Sequence, residues 1–176
     1  MVREIVKFGS QVLRRKAAPV EAIDEAVKTL VQDLFDSMKS AAGVGLAAPQ
    51  IGVLRRVIVV DVSAQEEDKL PIALINPRIL NTEGTDLAEE GCLSLPDLYG
   101  EVKRAAQIEV EALDVRGESF RFPATGYYAR ALQHEIDHLE GKLFIDYISP
   151  LKRQLMRGAL KRLKKEGEQW DLEHAI

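Results

Sequence analysis

The sequence predicts an α+β fold, with mostly antiparallel sheets packed around a central helix that carries a His-Glu-x-x-His pattern, and with N-terminal and C-terminal helices. Three observations predict it. Val27, Leu30, Val31, Leu34, Phe35 and Met38 recur at the i, i+3, i+4, i+7 spacing of one helix face. Residues 107–112 alternate, with Ile108, Val110 and Ala112 set against Gln107, Glu109 and Glu111, as in a half-buried antiparallel strand. Strand and helix signals do not alternate regularly along the chain, which argues against a wound parallel sheet.

The elements follow in order. Asp24 can cap the first helix and Gly43 can end it. Residues 56–62, Arg-Val-Ile-Val-Val-Asp-Val, read as a largely buried strand. A second apolar run covers 70–76, and Pro77 is expected to limit it because proline cannot donate a ladder bond. Arg116-Gly117-Glu118 makes a turn that returns the chain into 119–122, a hairpin partner for the alternating strand. Thr125 can cap a helix from about Gly126 to Glu140, stopped by Gly141. A last helix starts near Pro150, with Leu151, Leu155, Ala159 and Leu163 as its apolar stripe.

Composition bounds the function. The 176 residues suit one domain, 1–176, long enough to bury a core without covalent staples. Cys92 is the only cysteine, which rules out an internal disulfide and fits a reducing compartment. Twenty-four basic and 28 acidic residues leave a formal charge of −4, which argues against wholesale nucleic-acid binding. No run approaches the roughly 18–20 apolar residues of a membrane span, and residues 1–10 lack a signal-peptide core. The expected location is the cytoplasm.

The chemistry concentrates in three segments. In His134-Glu-Ile-Asp-His138 the two imidazoles lie on one helix face and can share a metal ion, while Glu135 can reach a water on that ion. A catalytic site of this kind wants a third protein ligand. The third-His extension fails, because position 144 is Phe. Cys92, in Glu89-Glu-Gly-Cys-Leu-Ser-Leu-Pro96, is the better candidate, and a thiolate with two imidazoles suits Fe(II), Zn(II) or Co(II). In the third segment, Gly43-Val-Gly-Leu-Ala-Ala-Pro-Gln50, the glycines fit a dinucleotide fingerprint but follow a helix rather than a strand, and Pro49 interrupts any helix they might open. The alternative is a loop lying against an extended substrate, with the Gln50 amide aimed at the reacting carbonyl.

Gly43-Val-Gly-Leu-Ala-Ala-Pro-Gln50, Glu90-Gly-Cys-Leu-Ser94 and Gln133-His-Glu-Ile-Asp-His-Leu-Glu-Gly141 together resemble the three blocks of the peptide deformylases, in order and almost end to end. The resemblance implies removal of the N-formyl group from the initiator methionine of nascent peptides, releasing formate. It implies one divalent metal ion, Fe(II) natively with Zn(II), Ni(II) or Co(II) possible, held by Cys92, His134 and His138. Hydroxide on that metal would attack the formyl carbonyl, with Glu135 as general base and then acid. Gln50 and the Leu93 backbone N–H would stabilise the oxyanion, and backbone groups of Val44, Gly45 and Gly91 would pair with the substrate. Two departures stand out. Ser10-Gln11 replaces the Asp-Pro of many members, which touches the cap of that turn. Tyr99 stands where some place Arg, which affects contacts beyond the first substrate residue.

Further readings follow. Leu46, Tyr127 and Leu132 are candidate walls for a methionine pocket. Asp137 can orient a histidine, and Glu90 can pair with Arg104. Lys152, Arg153, Arg157, Lys161, Arg162, Lys164 and Lys165 make residues 150–166 a basic helix. The family resemblance suggests ribosomal RNA as its partner, so truncation after Pro150 is expected to spare activity on a short formyl-Met peptide and to weaken ribosome binding. Two competing functions share parts of the pattern. A metalloendopeptidase shares His-Glu-x-x-His but lacks its usual third ligand here. A structural metal site normally closes with four protein ligands, and only three good ones are present.

Overall fold

A computed structural model describes residues 1–176. Four helices, α1 (Glu25–Ser40), α2 (Gly126–Leu139), α3 (Pro150–Leu155) and α4 (Arg157–Glu173), accompany seven strands. In chain order these are β1 (Gly45–Ala47), β2 (Val57–Val60), β3 (Ile72–Glu83), β4 (Asp86–Cys92), β5 (Leu95–Arg104), β6 (Gln107–Leu113) and β7 (Ser119–Thr125). A five-stranded antiparallel sheet runs β1-β2-β3-β6-β7, and β4-β5 form a separate antiparallel pair. The α+β expectation holds.

The sheet lies between two helices. Ile58 and Val60 pack in one cluster with Ala129, Leu132, Ile136 and Leu139 of α2. Val57 and Val59 point the other way, into a cluster with Leu30, Leu34 and Met38 of α1. This is why β2 is apolar at every position rather than alternating: a strand covered on both faces has no wet side. The hairpin β6-β7 forms as expected, with Gly117 at φ +83° in its turn.

Several boundaries differ from expectation. The Asp24 carboxylate caps α1 by accepting from Val27 N–H, but Gly43 is not the left-handed residue that ends it. Ala42 takes that conformation at φ +55°, and Gly43 N–H closes the motif by donating to the Met38 carbonyl at 2.9 Å. Gly43 is needed for closeness instead, since a Cβ there would meet Leu93 Cδ1 at 2.7 Å. Pro77 does not end β3. The β2 pairing stops at Ile75 and the register against β6 shifts between Ile75 and Arg78, so Pro77 sits in a bulge where a missing N–H costs no ladder bond. Thr125 occupies the N-cap of α2 without a side-chain capping bond.

The C-terminal helix differs most. Residues 150–166 are not one helix: α3 stops at Leu155, and α4 starts after Met156 and runs to Glu173. Leu151 and Leu155 are 68% and 75% exposed, so the expected stripe does not face the core. Steps of four residues advance 400° and drift off one face, whereas Met156, Leu160, Leu163, Gly167 and Trp170 step by four and three and stay on it. Met156 and Leu160 are buried with Val6, Leu13, Leu95 and Phe144, and Leu163 and Trp170 pack against that cluster.

Candidate active site and metal centre

Three elements meet at one cleft of about 450 Å³. Helix α2 presents His134, Glu135 and His138; strand β4 ends at Gly91-Cys92; and β1 runs into a short 3-10 turn, Ala48–Ile51, that carries Gln50. The Cys92 sulfur and one ring nitrogen from each of His134 and His138 all lie within 4.8 Å of one another. Cys92 Sγ is 3.5 Å from His138 Nε2.

Glu90 decides which nitrogen His134 offers. Its Oε1 lies 2.8 Å from His134 Nδ1, so Nε2 is left to face the thiol. Glu90 is itself held by the Arg104 guanidinium through two bonds of 2.8 and 2.9 Å, and by Arg130 Nη1 at 2.6 Å. The pairing of Glu90 with Arg104 expected from sequence is therefore present, and it is buried rather than solvated. Burial pushes the Glu90 carboxyl up, but Arg104 and His134 outweigh it and hold it at about 2. Asp137 does not orient a histidine. It accepts from Arg104 Nη1 at 2.5 Å, adding a second carboxylate to the same guanidinium, whose other contact is the face of Tyr147.

The two imidazoles are driven apart. Burial lowers both, but Cys92 and Glu90 beside His134 more than compensate and raise it well above its ordinary value. His138 falls well below, from burial and the positive charge of His134 and Arg104. Its Nδ1 is buried without a partner. Glu135 is buried too, and its Oε2 has no hydrogen-bond partner. Desolvation pushes its carboxyl up to about 7, a value suited to a group that takes and returns a proton near neutrality. Gly45 makes room for it: a Cβ there would meet Glu135 Cγ at 2.8 Å.

Gln50 is oriented unambiguously. Its Oε1 accepts from Ala47 N–H at 3.0 Å, which only an oxygen can do. Its Nε2 therefore faces the site, donating to Ser94 Oγ at 3.1 Å and lying 3.5 Å from Cys92 Sγ. Leu93 and Ser94 form the two-residue turn between β4 and β5. Val44, Gly45, Gly91 and Leu93 all line the cleft, with the Val44 carbonyl already accepting from Asp61 N–H. Strand β1 is the edge of its sheet, so one side of its backbone is unpaired.

Of the three residues suggested as methionine walls, only Tyr127 lines the cleft. Leu46 and Leu132 are fully buried in the two cores on either side of the sheet. Their fault as candidates was position: each points to the core face of its element. Tyr99 lies directly over Gly91, where a Cβ would meet its ring at 2.7 Å. Sequence reasoning missed Arg130. One signal was available, since Arg130 precedes His134 by four residues and shares its helix face.

The donor set fits a divalent ion. A soft thiolate and two imidazoles converge, and three protein donors beside an open cleft is the catalytic rather than the closed structural arrangement. The fold and site thus define a metal-dependent hydrolase of the His-Glu-x-x-His class, with a substrate cleft bordered by a free strand edge. The polypeptide deformylase family model matches residues 2–154, and the chain belongs to that family. The family's reaction is the hydrolytic removal of the N-formyl group from nascent peptides. A peptide deformylase of Thermodesulfovibrio yellowstonii is 48% identical over 93% of this chain and 99% of its own. The crystal structure of a peptide deformylase from Legionella pneumophila matches with TM-score 0.86 and 46% identity, covering 94% of this chain and 96% of that one. The Thermus thermophilus peptide deformylase matches with TM-score 0.87 and 44% identity, over 94% and 99%.

Proposed function

We propose that Cys92, His134 and His138 hold one divalent ion, natively Fe(II) and replaceable by Zn(II), Ni(II) or Co(II), and that around it this chain deformylates the initiator methionine of nascent polypeptides. The observation that carries the reading is the convergence of three donors beside a buried carboxylate whose Oε2 has no partner. A bound divalent ion supplies Lewis acidity, which polarises a carbonyl and makes hydroxide available near neutral pH. The Glu135 carboxylate accepts the proton of the attacking water and delivers it to the leaving amine. The Gln50 Nε2–H and the Leu93 N–H donate to the oxygen on which charge builds. The peptide behind the formyl group extends along the edge of β1, using backbone groups of Val44 and Gly45, with Gly91 opposite. Tyr127 borders the methionine side chain. We read residues 1–176 as one catalytic domain. No helix is long and apolar enough to cross a membrane, and action on nascent polypeptides supports a cytoplasmic location.

Incubation with a formyl-Met peptide is expected to release formate and leave every internal peptide bond intact, as read by formate assay and mass spectrometry. Internal cleavage would favour the endopeptidase reading instead.

The basic C-terminal region supports a second contact. Lys161, Arg162, Lys164 and Lys165 are all exposed on α4, and Lys152, Arg153 and Arg157 are exposed just before them. We assign this surface to ribosomal RNA. Truncation after Pro150, the test the sequence suggests, does not isolate the charge, because it would also remove Met156 and Leu160 from the core they share with Leu13 and Leu95. Charge reversal at Lys161, Arg162 and Lys165 is expected to weaken ribosome binding and to lower its salt dependence by about one unit of slope per charge. Release of formate from a short peptide should stay unchanged. Unaltered ribosome affinity across several salt concentrations would remove the assignment.

A further inference from the structure

We propose that Asp171, near the far end of α4, is a positioning residue for Gln50, acting through the N-terminal segment 6–11 and touching no substrate. The inference rests on the reading of Gln50 as an oxyanion donor. It starts from two backbone bonds. Val6 N–H donates to the Gln50 carbonyl at 2.8 Å, and Phe8 N–H donates to the Ser94 carbonyl at 2.9 Å. Gln50 and Ser94 are also joined by their side chains, beside Cys92. The segment therefore ties together Gln50 and Ser94, 44 residues apart, whose spacing must hold for Gln50 Nε2–H to face the reacting carbonyl oxygen.

Helix α4 sets the position of that segment from behind. Asp171 is buried, and its carboxylate accepts from Ser10 Oγ–H at 2.5 Å and from Gln11 N–H at 2.9 Å. The Ser10 oxygen in turn accepts from Val12 N–H, capping the turn that follows. Asp171 thus brings an acid from the other end of the chain to the turn where Ser10-Gln11 replaces the local Asp-Pro. Closeness is enforced by backbone. A Cβ on Gly167 would lie 2.3 Å from Ser10 N and 2.4 Å from the Phe8 carbonyl oxygen. A second route meets the same turn, because Trp170 packs against Gly52, the residue that closes the 3-10 turn carrying Gln50. The family model matches residues 2–154, so Asp171 and the rest of α4 lie beyond that stretch while the segment they hold lies within it.

Asp171→Asn keeps the shape but removes the charge and one acceptor: its oxygen can keep Gln11 N–H, while its amide can only donate to Ser10 Oγ, so the Ser10 proton loses its carboxylate partner and the pair loses a charge-assisted bond. The test uses the full-length, metal-loaded protein, with kcat and KM measured separately on a formyl-Met peptide, in the natural chain and in Gln50→Ala. Asp171→Asn is expected to lower kcat about tenfold with KM within about twofold. Metal content should hold. In Gln50→Ala the same change should move kcat by less than about twofold, because the group being positioned is gone. Ser10→Ala, which removes one of the two bonds and perturbs folding less, should lower kcat in the same direction and show the same dependence on Gln50. Phe120→Ala, in distant β7, controls for stability loss alone and should leave kcat unchanged. An unchanged kcat in both Asp171→Asn and Ser10→Ala, or an equal loss with and without Gln50, would overturn the proposal. A full kcat in Gln50→Ala by itself would overturn the oxyanion reading and the brace with it.

Discussion

Glu135→Gln is expected to lower kcat for formate release by about 10²–10⁴-fold, the usual worth of a positioned proton carrier. Glutamine matches the volume of the native side chain, which matters because Gly45 leaves no slack beside Glu135 Cγ. It keeps the shape of the cleft and removes only the ability to take and return a proton. Glu135 makes no bond that holds the metal donors together: its Oε2 is unpartnered and its Oε1 lies 3.7 Å from His134 Nε2. Metal content should therefore hold while the rate collapses. Formate assay and metal analysis on the same sample check both. Full activity with metal retained would show that another group moves the proton.

The second large effect is expected at Glu90. Its carboxylate is shared by Arg104, Arg130 and His134, all within a buried network. Glu90→Ala leaves two guanidiniums buried without their main partner, and breaking a buried pair in this way typically costs about 3–5 kcal/mol. It also frees the His134 ring, and loss of such a supporting carboxylate commonly weakens metal binding by about 10–100-fold. Asp137 and Asp86 remain to compensate Arg104 and Arg130 in part, so the stability loss should fall toward the lower end of that range. Denaturant unfolding and a competitive metal titration measure the two effects. A loss under about 1 kcal/mol with unchanged metal affinity would show that the network is decorative.

The three segments that meet at the cleft were legible because each carries its constraint locally. His134 and His138 share a face by helix geometry alone, and Cys92 is the one thiol in the chain. The α1 face, β2 and the β6-β7 hairpin were legible for the same reason: their periodicity is set by what covers them. What escaped was set by distant partners. Nothing near Pro77 announces that β3 passes through a bulge there. Nothing near Leu151 or Leu155 says that the core is reached only after a break at Met156. Arg130 owes its burial to Glu90, forty positions earlier. Leu46 and Leu132 had the right chemistry for a pocket wall, but the opposite faces of the sheet claim them. The C-terminal stripe expected at Leu151, Leu155, Ala159 and Leu163 instead runs through Met156, Leu160, Leu163, Gly167 and Trp170, because the N-terminal segment covers that face.

The three-donor site is tested most directly by anaerobic purification with metal analysis, followed by formate release from a formyl-Met peptide before and after chelation. The site as described predicts one divalent ion per chain, loss of formate release when the ion is chelated, and recovery on adding Fe(II) back; Cys92→Ala should fail to regain either metal or rate. Formate release at the untreated rate from the metal-free chain, or from Cys92→Ala, would contradict it.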